Sequence, residues 1–187
     1  MSDIHNIVEE TSELMEMAFD IMKKDFGAVR TGKASPALVD GITVEYYGAQ
    51  TRLKDMASIT APEPRLLVIQ PWDAKVIKNI EKAILASSLG ISPVSDGRVV
   101  RLPIPELSEE RRKDMTKLVR KRAEESRVEI RNARRDANEA LKKAQKNSEI
   151  TEDELKSFTD KIQKLTDKMV EKVNAALADK EAELMAV

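Results

Sequence analysis

The sequence predicts an α+β protein: an elongated antiparallel three-helix bundle with a small β/α/β domain inserted after the first helix. Three observations predict it. Charged residues make up 35% of the 187 residues and aromatics only 3%, which suits long solvated helices and leaves too few rings for an all-β sandwich. All six glycines lie between Gly27 and Gly97 and all seven prolines between Pro36 and Pro105, so the chain-breaking residues gather in the middle. The stretches on either side carry apolar residues at helical spacing.

The first helix is expected from about Asp3 to Val29. Ile7/Val8, Leu14/Met15, Ile21/Met22 and Ala28/Val29 recur every seven residues, with Ile4, Thr11 and Ala18 between them. Glu9, Glu10, Glu13, Glu16 and Asp20 fill the other face, as an amphipathic helix requires. In the middle, Ile42 to Tyr47 alternate and run into Gly48, a strand and turn. Leu66 to Ile69 form a short apolar run between Pro64 and Pro71, a buried strand. Trp72, just beyond, reads as a packing residue of this domain. Asp73 can cap a helix carrying Val76, Ile77, Ile80, Ala83, Ile84 and Leu85 and stopping near Gly90. Arg98 to Leu102 supply a closing strand.

Ser108, followed by Glu109 and Glu110, opens a second long helix, because the hydroxyl and the carboxylates meet free N–H groups. Its apolar positions include Met115, Leu118, Val119, Ile130, Ala133, Ala137, Ala140, Leu141 and Ala144. Asn147-Ser148 break it. Thr151 and Glu154 form a capping box for a third helix, with Leu155, Phe158, Ile162, Leu165, Met169, Val173, Leu177 and Leu184 inside. No one of these helices can bury its stripe alone, and three packed together can, so a monomer is expected. The bundle takes residues 1–30 and 106–187, and the insert takes 31–105. The two crossings, about 30–36 and 102–106, carry Gly and Pro and read as a hinge made of Arg30, Thr31, Gly32, Pro103, Ile104 and Pro105.

Composition excludes much chemistry. There is no cysteine, which removes disulfides, thiolate metal sites and thiol nucleophiles. His5 is the one histidine and sits near a chain end, so a Ser-His triad is not expected. Gly32-Lys33 lacks the earlier glycine of a phosphate-binding loop, and no dinucleotide fingerprint occurs. The methionines fall mostly on apolar stripes and read as core filler. No enzyme, metal or cofactor is expected. No apolar run is long enough to cross a membrane, and Met1 to His5 lack the basic and apolar regions of a signal peptide, so a soluble cytoplasmic protein is expected.

Charge is where the sequence speaks of a partner. The net charge is −1, yet Arg111 to Lys146 hold fourteen Lys and Arg against six Asp and Glu, a local +8. On a helical wheel Lys113, Lys117, Arg120, Arg127, Arg131, Arg134, Arg135 and Lys142 fall within roughly 60° of one line, on the order of 40 Å long. The apolar residues centre on nearly the opposite side, and of the six acids between Arg111 and Lys146 only Glu124 and Glu139 come near the line. A solvated helix face ordinarily mixes signs, so this row reads as a surface for a phosphate backbone. Arginine in its middle suits two-pronged phosphate contact, and the scarcity of aromatics points to folded RNA read by shape rather than by base stacking. The alternative class is a coiled-coil adaptor or holdase without an RNA role. It explains the stripes but neither the one-signed row nor the inserted domain.

Two long stretches carry a family resemblance. RTGKASPALVDGITVEYYG (Arg30 to Gly48) and LSEERRKDMTKLVRKRAEESRVEIRNARRDAN (Leu107 to Asn138) resemble the bacterial ribosome recycling factors, as does the ending Ala175 to Leu184. The resemblance runs over essentially the whole chain. It implies an L-shaped pair of domains joined by a two-stranded hinge, with no cofactor. It also implies binding to the post-termination ribosome, with the bundle on large-subunit RNA and contacts to the small subunit open. Elongation factor G with its bound GTP would be the partner in splitting the subunits and releasing mRNA. The matching motifs place Arg131, Arg134 and Arg135, and with them Arg112 at the edge of the basic row, among the RNA contacts. Lys33 stands where many members carry arginine, which keeps the charge and loses the fork.

Overall fold

The structure is a computed structural model and describes residues 4–186. Asp3, where the sequence places the first helix start, lies outside the described residues. The elements in chain order are α1 (Ile7–Ala28), β1 (Thr43–Tyr46), β2 (Ala49–Arg52), α2 (Leu53–Met56), β3 (Ala57–Glu63), β4 (Leu66–Pro71), α3 (Ile77–Ala86), β5 (Val94–Ser95), β6 (Val100–Pro103), α4 (Glu109–Lys146) and α5 (Glu152–Met185). They form two compact units. One runs up to Asp25 and resumes at Thr116, and the other is Phe26–Met115. The first turns of the long helix α4 therefore belong to the smaller unit.

In the helical unit α4 runs antiparallel to both of its neighbours. Ser126 donates to the Ala18 carbonyl at 3.2 Å and Arg122 pairs with Asp25 at 3.7 Å, which joins α4 to α1. Arg120 reaches Glu181 and Arg127 reaches Asn174, which joins α4 to α5. Ile7, Ala137, Leu141, Ala144, Ile150 and Ile162 close one end of the bundle as a single apolar cluster drawn from all three helices and the loop between α4 and α5. Buried hydroxyls satisfy themselves locally: Thr11 donates to the Ile7 carbonyl and Thr166 to that of Ile162, each one turn back. The start of α5 is the reciprocal cap the sequence indicates, Glu154 N–H to the Thr151 hydroxyl and Thr151 N–H to the Glu154 carboxylate. Those bonds hold the Glu154 carboxyl below its ordinary pKa. At the start of α4, the Arg111 N–H donates to the Ser108 hydroxyl at 3.2 Å.

Two details of the helices depart from the wheel reading. In α1 only one residue of each repeated apolar pair faces inward, because neighbours are about 100° apart. Ile7, Met15 and Met22 are buried, whereas Leu14 and Ile21 are 56% and 61% exposed. In α4 the buried residues are Val119, Ala123, Ser126, Ile130, Ala137, Leu141 and Ala144. Their mean direction lies about 110° from the basic row and not opposite to it. Small Ala and Ser residues, weak in any hydrophobic count, form much of this contact face, and they shift its centre.

The smaller unit holds a two-stranded hairpin, β1–β2, and a four-stranded antiparallel sheet in the order β3-β4-β6-β5. Tyr47 and Gly48, both at positive φ (48° and 80°), make the hairpin turn, the backbone pair that matches strand twist in a two-residue loop. Tyr47 has a Cβ and holds this conformation at a cost of about 1 kcal/mol or more. Leu67 and Ile69 of β4 and Val100 and Leu102 of β6 point to one side, where Ile77, Ile80 and Ile84 of α3 cover them. Asp73 caps a short turn, Ala74–Val76, that leads into α3.

Trp72 corrects the sequence reading. With Leu67, Ile69 and Pro71 turned inward, the two-residue period sends Trp72 outward, and it is 73% exposed. Strands β2, β3 and the two-residue β5 lie outside the sequence expectation, the first two because their composition is polar or proline-bearing and β5 because it is too short to show a period. β3 is an edge strand whose register shifts between Thr60 and Glu63, which accommodates Pro62.

Candidate nucleic-acid interface

Helix α4 carries every residue of the expected basic row, and the structure sorts them. Arg120, Arg127 and Arg134 lie on the side of the row nearer the buried face, and each reaches α5. Arg120 Nε pairs with Glu181 Oε1 at 2.5 Å, Arg127 donates to Asn174 Oδ1 at 2.7 Å, and Arg134 donates to Gln163 Oε1 at 3.3 Å. Only 17% of the Arg127 side chain is exposed. The hydrogen bond and the charge of Glu181 hold Arg120 above its ordinary pKa. These three guanidiniums belong partly to the joint between two helices, and a wheel of one helix cannot show that.

Lys113, Lys117, Arg131, Arg135 and Lys142 are exposed and point away from the core. Lys113 meets Glu109 at 3.2 Å, Arg131 meets Glu124 at 3.3 Å, and Arg135 stands 3.8 Å from Asp136. All three are pairs between exposed side chains, and such pairs contribute little. Among the described residues Lys117 and Lys142 have no ion pair at all. Of the two acids the sequence places near the row, Glu124 takes Arg127 at 3.0 Å as well as Arg131. The Arg127 hydrogen bond, more than the charges, holds its carboxyl below the ordinary range. Arg112 sits at the edge, half-buried. Lys121, outside the sequence selection, is exposed beside the outward row at about 80° on the wheel, and a wider angular window would have included it. Such a row offers long cationic side chains, weakly held, that can exchange an exposed carboxylate for a phosphate.

The expected hinge residues fall within the smaller unit. Thr31 is buried, and Gly32 takes a φ of 83°, open to glycine and strained for other residues. Arg30 donates from Nη2 to the Pro105 carbonyl at 2.9 Å and ties one crossing to the other, while its Nε has no partner among the described residues. Burial, and next the charge of Arg111, lower the Arg30 pKa. Pro103 is the last residue of β6, and Ile104 is 3% exposed in the sheet core. Both crossings also lean on one turn: Ala34 N–H donates to the Pro64 carbonyl at 2.7 Å and Ile104 N–H to the Arg65 carbonyl at 2.8 Å. Arg65 in turn pairs with Glu106.

The ribosome recycling factor family model matches residues 22–185. The chain belongs to the ribosome recycling factor family. Family relatives include the ribosome-recycling factor of Alkaliphilus metalliredigens (strain QYMF), 51% identical over 99% of this chain and 98% of its own length. That of Bacillus subtilis (strain 168) is 51% identical over 97% and 98%. A solution structure of the ribosome recycling factor is similar with a TM-score of 0.80 at 38% identity, covering both chains fully. A second structure, with a TM-score of 0.70 at 43% identity over 98% and 99%, presents models for the T. thermophilus ribosome recycling factor and the E. coli elongation factor G bound to the E. coli post-termination complex. Membership in the family makes this a protein of ribosome recycling in translation. Among the described residues no cluster of His, Asp or Glu could hold a metal ion, and no helix is long and apolar enough to cross a membrane.

Proposed function

We propose that this chain binds the post-termination ribosome and, together with elongation factor G carrying GTP, splits it into subunits and releases mRNA for a new round of translation. The outward basic row of α4, in a chain of this family, is the observation that carries the reading. Lys117, Arg131, Arg135 and Lys142 anchor the helical unit on phosphates of large-subunit RNA, with Arg120, Arg127 and Arg134 at the margin of that surface; Arg112 and Lys113, on the first turns of α4 in the smaller unit, add phosphate contacts of their own. The similar structure that pairs a family member with elongation factor G supports the choice of partner. GTP chemistry stays with that partner, and this chain supplies shape, charge and a joint.

The joint we propose takes in Arg30–Lys33 on one crossing and Pro105–Leu107 on the other, next to Ala34 and Ile104, which are bonded to one turn of the sheet. Gly32 lies in the first of these spans.

The test is light scattering of purified post-termination ribosomes with elongation factor G, GTP and this protein, each omitted in turn. A fall in scattering that needs all three is the expected result. Binding without splitting would leave an RNA-binding module with a different partner, and failure of both would favour the helical adaptor.

A further inference from the structure

The smaller unit carries an open cleft of about 300 Å³ that the basic row does not explain. It is lined by Tyr46, Thr51, Asp55, Met56, Trp72, Asp73 and Val76. The hairpin β1–β2 supplies one side, the single turn α2 another, and the connection from β4 towards α3 the third. The backbone fixes this arrangement where the elements meet: the Trp72 N–H donates to the Met56 carbonyl at 3.2 Å. Asp73 accepts from the Lys75 N–H at 3.0 Å and from the Tyr47 hydroxyl at 3.4 Å. Tyr46 packs edge-on against Tyr47, ring centres 4.5 Å apart, which fixes both rings beside the cleft.

Two features select an occupant. Trp72 and Tyr47 are 73% and 79% exposed, large aromatic area that this chain leaves uncovered. Among the described residues, the charged groups lining the cleft are the carboxylates of Asp55 and Asp73. Aromatic faces with carboxylates at their rim favour a cation, through the ring quadrupole and through charge. They oppose a phosphate backbone, so stacked RNA bases would bring their own negative charge against two aspartates. Arg52, 3.6 Å from Asp55, is held by one exposed pair and is readily displaced.

We infer that this cleft is a docking site for a lysine or arginine side chain on a basic loop or tail of a partner protein. The inference does not depend on the RNA reading of α4.

Trp72 is the chain's one tryptophan, so the fluorescence of the whole protein reports on the cleft. The full chain is titrated with an end-blocked peptide of alternating glycine and arginine, with its glutamate counterpart, and with oligouridylate. The expected result is a saturable emission change with the arginine peptide alone. Its midpoint should rise about fivefold in Asp55→Asn/Asp73→Asn, the weight of one or two exposed charge pairs. Asparagine keeps the cap at position 73, so the double variant should retain the wild-type circular dichroism and melting profile. In the full chain, amide shifts of Thr51 and Val76 on adding the arginine peptide provide a second readout. No saturable change, an equal response to glutamate peptide or RNA, or an unshifted midpoint in the folded double variant would overturn the assignment.

Discussion

The clearest division the structure makes is between two kinds of arginine on one helix, and it can be measured. Arg127 is 17% exposed and makes a 2.7 Å bond to Asn174 and a 3.0 Å pair with Glu124. Its truncation removes a bond between helices and the stem that covers it, a loss of about 1–2 kcal/mol. For a chain of this size each kcal/mol moves Tm by roughly 2–4 °C, so Arg127→Ala should melt about 3–6 °C lower. Arg131 and Arg135 are 49% and 65% exposed, each with one long pair, and Arg131→Ala/Arg135→Ala should keep Tm within about 1–2 °C. The binding assay gives the opposite order. Each phosphate contact contributes about 0.7–0.9 to the slope of log K against log salt, so the outward pair should flatten that slope by about 1.5. Sedimentation with large ribosomal subunits across a salt series, beside thermal melts, measures both. An unchanged slope in the outward double variant would refute the anchor. A large loss of Tm in the same variant would refute the division of the row.

Other outcomes follow from single contacts. Ile130→Ala empties a fully buried site in α4 and should cost about 2–5 kcal/mol, read by urea unfolding. Thr151→Ala removes half of the reciprocal cap and should cost about 1 kcal/mol, whereas Thr151→Ser should nearly restore the melting temperature. Asp96 has a pKa lowered to about 2, chiefly by the Val99 N–H, then by the Arg101 guanidinium and the Arg98 N–H. Its stabilisation is present above the ordinary carboxylate range and fades as pH falls towards 2, so wild type and Asp96→Asn should differ in urea midpoint at pH 7 and converge near pH 2. Gly32→Val should leave ribosome binding intact and slow subunit splitting, because a β-branched residue resists the 83° φ in the span proposed to turn.

Long helices with strong caps were legible from residue order alone. Ser108 and Thr151 name the starts of α4 and α5, and Asn147-Ser148 their separation. Strands β2 and β3 were not, because Ala49-Gln50-Thr51-Arg52 shows no apolar alternation and Pro62 demotes its neighbours. The candidate site was legible as a row of charge on one helix. Its sorting was not, since Glu181, Asn174 and Gln163 come from α5, distant in sequence, and pull Arg120, Arg127 and Arg134 towards the joint. Trp72 was misread inward because a large aromatic beside a buried strand suggests packing, and only the register, with Leu67 and Ile69 inside, turns it out. The proposed hinge rests on Gly and Pro in the sequence, and the structure places its six residues within the smaller unit, with Ala34 and Ile104 bonded to one turn.

That shared turn has a further consequence. Pro64 and Arg65 accept from Ala34 and Ile104, so the two crossings meet the sheet at neighbouring points. An insert whose ends meet adds little loop-closure entropy to its host and can be exchanged as a cassette. Sheet units of different surface could be grafted between the same helices, and a short bridge from residue 34 to residue 104 would close the excised unit into a ring.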